Sequence, residues 1–429
     1  MKTRLSATDA FFVAYQETSG VLMQLGVEVE LEGRITRADV DEVLMHIVRR
    51  WPPLGQRLRR RLFGLAWEGE CSTSEMVRVA ESRKALEQWR NQLLNPFAEP
   101  PFQLLWIADG ERHLFAFRAH HAVVDGEGFC GVCAEALRSL AERFGVGRPG
   151  AALVSEHKAP GRRTPKRLLK AFKNLQRLRN EARSNQSARL ALRSCTTGDI
   201  SVVKRDLESE EFRELQQQAH DAGVAPGWLC AAAWIKAIHA WNLTRDADTN
   251  PLFSLEVPVS LRRSREAQLG NLISPLTLYG DATKPLFALA TTLKQQMSTA
   301  IRQRLHLGLP SLSSPAKFIP FGLFRKLAAN PELTGFATSH FAWFEQSQSI
   351  HEDILRISGG ALQLVDQQLY TPVCLHMGAA VAILAWRERA QVSLTHRLTA
   401  LSTSDAQSLS DLMVQQLGQR SLRRRQVAV

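Results

Sequence analysis

His120 to Cys133 reads HHAVVDGEGFCGVC, and the stretch admits four chemistries. Gly126, Gly128 and Gly131 spell GxGxxG, the glycine turn of dinucleotide sites. Cys130 and Cys133 spell CxxC, a redox or zinc pair. His120, His121 and Asp125 are metal-ligand types, and the first seven residues read HHxxxDG. Each reading places a demand on the flanking chain, so the flanks discriminate among them.

A dinucleotide turn follows a strand, opens a helix and needs an acidic residue on a second strand about 20 residues on. The apolar run from His113 to Val124 and the spacing of Ala134, Leu137 and Leu140 meet the first two demands. The third fails, because the chain from Gly147 runs GRPGAALVSEHKAPGRR with no βαβ repeat. A tight, closely packed turn is the plainer account of the glycines. The CxxC pair has no second CxxC or HxxxH to complete a zinc site, so its thiols read as small buried hydrophobes. No GxSxG elbow or GxxxxGK[ST] loop occurs in the chain, which removes the common serine-hydrolase and nucleoside-triphosphatase signatures.

The histidines remain. Along a strand, Phe115, Phe117, Ala119 and His121 share one face and Leu114, Ala116, Arg118 and His120 the other. Adjacent histidines therefore do not meet one substrate easily: one is chemical and the other architectural, or both are satisfied core histidines.

The rest of the chain sets the frame. Its 429 residues, 45% apolar and 22% charged, suit two to three domain-sized units of a folded protein. No apolar run reaches the roughly 18 residues of a membrane span, and the start, MKTRLSATDAFF, lacks a signal-peptide core. A cytoplasmic protein is expected. Six cysteines (71, 130, 133, 195, 230 and 374) are too sparse for a disulfide framework. The net charge of +12 is concentrated: between Lys158 and Arg193 twelve Lys/Arg face one acid, Glu181.

Either side of that basic segment, strand and helix patterns alternate. Val27 to Leu31 and Leu252 to Val259 read as strands, and Ala379 to Trp386 with Gln391 to His396 as a hairpin. Arg37 to Arg50, a segment ended by Gly223, Trp228 to Trp241, and Phe287 to Arg304 read as helices. A last helix is expected over Ser404 to Gly418, with Ser404 as N-cap and Gly418 as stop, followed by a frayed LRRRQVAV tail. The mixture predicts α/β or α+β layers.

The seven residues His120 to Gly126 resemble the HHxxxDG motif of the thioester-dependent acyltransferase superfamily. That superfamily includes chloramphenicol acetyltransferase, peptide-synthetase condensation domains and the wax ester synthase/diacylglycerol acyltransferase group. The flanks extend the likeness. The start LSATDAFF from Leu5 resembles that of the wax ester synthases, and NPFAEPPFQLL from Asn95 precedes the motif as their PPL segment does. VPVSLR, ending at Arg262, and LGNLIS from Leu269 resemble their second-half Pro-x-x-x-Arg and Gly-Asn stretches. TSHF from Thr338 is similar to their late Ser-Asn motif, with His340 in place of the Asn. Ala225-Pro-Gly-Trp stands where the wax ester synthases carry Asn-Asp, so long-chain wax ester synthesis is not expected.

The resemblance implies two chloramphenicol-acetyltransferase-like lobes arranged in a V with a tunnel at their junction. The N-terminal lobe, 1–155, would carry HHxxxDG, 156–198 would be a basic amphipathic linker, and 199–429 the C-terminal lobe. It implies an acyltransferase moving an acyl group from an acyl-CoA or acidic acyl-carrier protein to a hydroxyl or amine of a small-molecule or lipid acceptor. A non-catalytic, condensation-domain-like module that docks a carrier protein is the alternative. His121 would be the general base, since a histidine exchanges protons near neutrality, and the Gly126 amide a candidate oxyanion donor. His120 is structural, and in the family the Asp125 equivalent pairs with a later arginine, here Arg262. Asn271, Ser339 and His340 are candidate substrate contacts. No metal or cofactor is implied, and a monomer is expected.

In the basic segment, Leu168, Leu169, Phe172, Leu175 and Leu178 would lie along one helical stripe opposite the cations. Such a helix suits an anionic membrane surface, placing the protein peripherally at the inner face, or an acidic carrier protein. A crossover between lobes with solvated charges is the equal alternative. Nucleic acid is not expected, because no stacking aromatic set accompanies the charge.

Overall fold

The computed structural model describes residues 3–62, 64–145, 184–262, 268–308, 320–329, 337–346, 350–386 and 389–427, with a few positions between 173 and 181. The described strands are β1 (Thr3–Arg4), β2 (Gln24–Glu32), β3 (Arg57–Arg60), β4 (Leu65–Glu68), β5 (Val77–Ala80), β6 (Phe102–Asp109) and β7 (Arg112–His120) in the first part of the chain. In the second come β8 (Ile200–Leu207), β9 (Leu252–Ser260), β10 (Ile273–Asp281), β11 (Ser339–Gln346), β12 (Gln363–Tyr370), β13 (Ala379–Trp386) and β14 (Arg389–Arg397).

These strands make a five-stranded sheet, β12-β2-β7-β6-β5, a six-stranded sheet, β10-β9-β11-β13-β14-β8, and a small sheet, β1-β4-β3. Each large sheet carries helices on an apolar face, which gives the layered α/β architecture of two lobes. In the first lobe Phe115, Phe117 and Ala119 of β7 join one core with Val40, Leu44 and Ile47 of the helix Arg37–Arg50 and Leu137 of the helix Gly126–Glu142. Leu114 and Ala116, on the opposite face of β7, pack on Leu86 and Trp89. The period-2 alternation of β7 thus feeds two cores.

The second core lies on one face of the six-stranded sheet. Phe253 and Leu255 of β9, Phe341 of β11, and Ala379, Val381 and Ile383 of β13 meet Trp234, Ile238 and Trp241 of the helix Pro226–Leu243 there. The other face of that sheet therefore carries Glu256, His340, Phe344 and Leu384, and Leu384 packs beside Cys130, Cys133 and Leu137 of the first lobe. This second face is the junction between the lobes. One strand crosses it: β12 adds antiparallel to β2, with Leu369 opposite Val27. Phe321, Phe324, Ile350 and Ile354, from the same return, join the first core.

The elements expected from periodicity form, with two differences. The strand expected to reach Val124 ends at His120, where Val123 N–H closes a turn onto the His120 carbonyl at 3.0 Å. The last helix spans Thr403–Val427, passing through Gly418 into the tail. Its start is capped by Ser402, not Ser404: Ser402 Oγ accepts Asp405 N–H at 3.2 Å, and Asp405 answers to the Ser402 amide, the reciprocal bonding of a capping box. Glycine in a helix costs about 1 kcal/mol relative to alanine; before Gly418, Leu409, Met413 and Leu417 pack on the second core.

The stripe Leu168, Leu169, Phe172, Leu175 and Leu178 lies outside the described residues, as do Lys166, Arg167 and Lys170. Further along the basic segment, Arg177 bonds Gln303 at 2.9 Å and Ala188 N–H bonds Leu252 O at 2.7 Å. This part of the segment is therefore held to the second lobe. Among the described residues no helix is long and apolar enough to cross a membrane.

Candidate active site

Asp125 ends the turn and caps the helix Gly126–Glu142, its Oδ1 accepting Gly128 N–H at 2.9 Å. The same Oδ1 accepts Arg262 Nη2 at 2.7 Å, while Oδ2 accepts Arg262 Nη1 at 2.9 Å and Leu272 N–H at 2.8 Å. Four donors saturate a carboxylate that is 0% exposed. Asp125 is thus occupied in holding the loop, and the arginine that neutralises it is the one expected from the sequence. Gly128 is required by this pair, since a Cβ there would stand 2.7 Å from Arg262 Nη2 and 2.5 Å from Gln268 O.

The segment after Arg262 fastens the loop again. Gly270 N–H donates to Val123 O at 2.7 Å. Asn271 Nδ2 bonds the His121 carbonyl at 2.6 Å and Asp9 Oδ1 at 2.7 Å, and Asp9 also accepts Asn271 N–H. Asp9 belongs to the capping box that starts the helix Ala7–Ser19 at Ser6. The SATD stretch at the N-terminus, the HHxxxDG loop and the Gly-Asn stretch are in this way one hydrogen-bonded unit.

The two histidines separate as strand geometry requires. His120 is fully buried and accepts Ala122 N–H on Nδ1 at 3.0 Å. Burial, aided by the neighbouring His121, pushes its pKa down to about 3, so it is neutral and architectural. His121 lies beyond the strand end, its ring stacked on Phe12 at 4.1 Å between centroids. Burial lowers its pKa; its own carbonyl, Asp125 and Asn271 oppose the shift, and His340 adds to it. Its imidazole is therefore neutral near pH 7.

Gly126 is the first residue of the helix, where backbone N–H groups lack intrahelical acceptors and the helix dipole is positive. A Cβ there would meet Phe344 Cζ at 2.9 Å. Phe344 and His340 share the junction face of β11, so the second lobe leans on the loop through that strand. His340 Nδ1 is 3.4 Å from Glu256 Oε1, its neighbour in register on β9.

Ser339 points the opposite way, into the second core. It is 0% exposed, accepts Trp234 Nε1–H at 3.0 Å and donates to Ala379 O at 3.2 Å. Its hydroxyl is thus committed to packing, while His340 stands on the opposite, junction face of the strand. Asn271 engages protein groups through Nδ2, keeping Oδ1 buried and unpartnered. Phe12, Phe344, Glu256 and His376 also come to the site, without having been singled out in the sequence. Burial raises the Cys130 thiol to about 12 and the Cys133 thiol as well, which marks both as inert. Among the described residues no group of His, Cys, Asp and Glu is placed to hold a metal.

No protein-family model matches the chain, and no curated protein matches its sequence. Solved structures do. The TRI3 trichothecene 15-O-acetyltransferase of Fusarium sporotrichioides superposes with a TM-score of 0.73 at 12% identity, covering 97% of this chain and 95% of that one. The condensation domain of the monacolin K polyketide synthase MokA gives 0.67 at 12% identity over 98% of both chains. The starter condensation domain of rhizomide synthetase RzmA, in complex with C8-CoA and Leu-SNAC, gives 0.66 at 12% identity over 96% and 93%. The chain therefore has the two-lobed fold of these condensation domains and of the TRI3 acetyltransferase.

Proposed function

We propose that the chain is an acyltransferase. It would move an acyl group from a CoA or acyl-carrier-protein thioester to a hydroxyl or amine of a small-molecule or lipid acceptor, with His121 as general base. The observation that carries this reading is the division of labour in the loop: Asp125 is consumed by Arg262 and two main-chain amides, leaving the neutral His121 imidazole facing the lobe junction. A fold that holds C8-CoA and Leu-SNAC in a relative supports a thioester donor here.

In this mechanism His121 accepts the acceptor's proton as its oxygen or nitrogen attacks the thioester carbonyl. The Gly126 amide, at the positive end of its helix, stabilises the tetrahedral oxyanion. Collapse releases the thiol. The Phe12 ring holds the imidazole plane by stacking, so His121 enters the reaction with little reorganisation.

The test mixes purified protein with acetyl-CoA and longer acyl-CoA thioesters and with panels of alcohols and amines. Thiol release, with the acylated product identified by mass spectrometry, is the expected result. Absence of thiol release with every CoA and carrier-bound donor, together with retained carrier-protein binding, would make the chain the non-catalytic docking module instead.

A further inference from the structure

Among the described residues no carboxylate is bonded to the His121 ring, and the oxygens of Asp125 are fully engaged elsewhere. The second lobe presents a histidine that has one beside it. His340 Nδ1 lies 3.4 Å from Glu256 Oε1, and the two residues are paired across parallel strands β11 and β9. Both side chains stand on the junction face, away from the second core that Leu255 and Phe341 fill.

That face is turned toward the HHxxxDG loop, since Phe344, four residues along β11, lies against Gly126. Although they lie between the lobes, the side chains of Glu256 and His340 remain 32% and 22% accessible, so part of each can be reached from solvent. A carboxylate on one imidazole nitrogen fixes the ring and presents the other nitrogen to a substrate.

We infer that His340, positioned by Glu256, is a second catalytic histidine, donating the proton that the departing thiolate takes up while His121 removes the acceptor's proton. This rests on the acyl-transfer reading above. The acceptor's lone pair forms the new C–O or C–N bond to the thioester carbonyl carbon, and its proton passes to His121. As the oxyanion collapses, the C–S bond breaks, its electron pair stays on sulfur, and sulfur takes a proton from the His340 imidazolium. Turnover leaves His121 protonated and His340 neutral, and water in the junction returns the proton. Thioester and acceptor give ester or amide and thiol, with no net proton.

The electrostatics agree with this division. Burial pushes the Glu256 carboxyl up, but His340, then His376 and His121, outweigh it and hold the group below its ordinary value. The ionisable groups around the pair are His121 of the first lobe and His376 and Cys374 of the segment after β12. Burial brings His376 down to about 4 and Cys374 up to about 12, so neither carries charge near neutrality.

The test varies the leaving group. A low-pKa thiol departs faster and needs less protonation than an alkyl thiol, so acetyl-CoA is compared with S-phenyl thioacetate, using one acceptor. With His340→Asn we expect kcat to fall about 10²-fold or more for acetyl-CoA and to change little for the phenyl thioester. Glu256→Gln should show the same pattern more weakly and shift the pH profile of kcat with acetyl-CoA, whereas His121→Ala should stop transfer from both donors. Equal losses on the two donors in His340→Asn, or no loss on either, with melting unchanged, would overturn the inference. A wild-type protein inactive with both donors would instead overturn acyl transfer itself.

Discussion

Arg262 and Asp125 meet through two parallel hydrogen bonds, of 2.7 and 2.9 Å, although 137 residues separate them in the chain. Both side chains are almost wholly buried, at 3% and 0% exposure. Such a pair is worth little net against an apolar replacement, but removing one partner strands a buried charge at a cost of about 3 to 5 kcal/mol. Asp125→Ala should therefore lower the melting temperature as well as activity, because the amides of Gly128 and Leu272 lose their acceptor and the buried Arg262 keeps only Gln268 O at 3.1 Å and the half-exposed Glu127 at 3.4 Å. Differential scanning calorimetry decides the point: unchanged melting with a lost rate would make Asp125 a reacting group.

The pH dependence of stability follows from His120. Its folded pKa is pushed down to about 3 from the ordinary 6.5, chiefly by burial. Between those values the unfolded chain binds a proton that the folded chain refuses, so stability is full above about 6.5 and falls as pH drops below it. His376, lowered to about 4, acts in the same sense. Melting temperature should decline steadily from pH 6.5 to 4.5. His120→Asn, whose side-chain carbonyl can still accept Ala122 N–H, should flatten that slope; an unaltered slope in the variant would remove His120 from the account.

For His121 the same direction of shift bears on rate. Burial keeps its imidazole in the base form below the ordinary histidine value of 6.5. Hence kcat/KM with S-phenyl thioacetate, whose thiolate leaves without a proton, should hold between pH 7.5 and 6.5 and turn down only at lower pH. His121→Ala should cost about 10² to 10⁴ in kcat while leaving melting close to wild type, since the ring stacks on Phe12 but anchors no hydrogen-bonded network through its side chain. Initial rates of thiol release across pH check both statements.

These expectations trace to residues of unequal legibility. The loop could be read because its four fixed letters lie within seven positions, and Arg262 because a matching stretch precedes it. Strand alternation set His120 apart from His121, yet the strand stops at His120, where Val123 N–H turns back onto the His120 carbonyl, a turn that hydrophobic periodicity does not carry. The same alternation would have divided Ser339 from His340 had β11 been assigned as a strand: neighbours in a strand face opposite ways, and only His340 faces the junction. Glu256 had a signal too, as the lone charged residue in the LFSLEVPV run, although nothing local announces its partner. Asp9 meets Asn271 across 262 positions, and such a pairing is written in no local pattern. Gly418 misled because a glycine weakens a helix interior by about 1 kcal/mol relative to alanine without having to end it.

Gly126 and Phe344 bring the two lobes into contact at the reacting loop, and they give a prediction that neither residue gives alone. A methyl group at position 126 would sit 2.9 Å from Phe344 Cζ and 3.3 Å from Cε1, closer than side-chain carbons approach. In Gly126→Ala either the ring or the start of the helix must move, and a displacement of about 1 Å at a reacting centre can cost about 10²-fold in rate. The Gly126→Ala variant should therefore lose most of its activity with only a modest change in melting. Phe344→Leu, which removes the edge of the ring that the methyl meets, should by itself affect the rate less. Combined, the two substitutions should recover much of what Gly126→Ala loses, giving a coupling energy of about 1 to 2 kcal/mol in a double-mutant cycle on kcat/KM. Strict additivity would mean that the glycine serves the Gly126 amide or substrate access alone, and that the approach of β11 does not set the geometry of the loop.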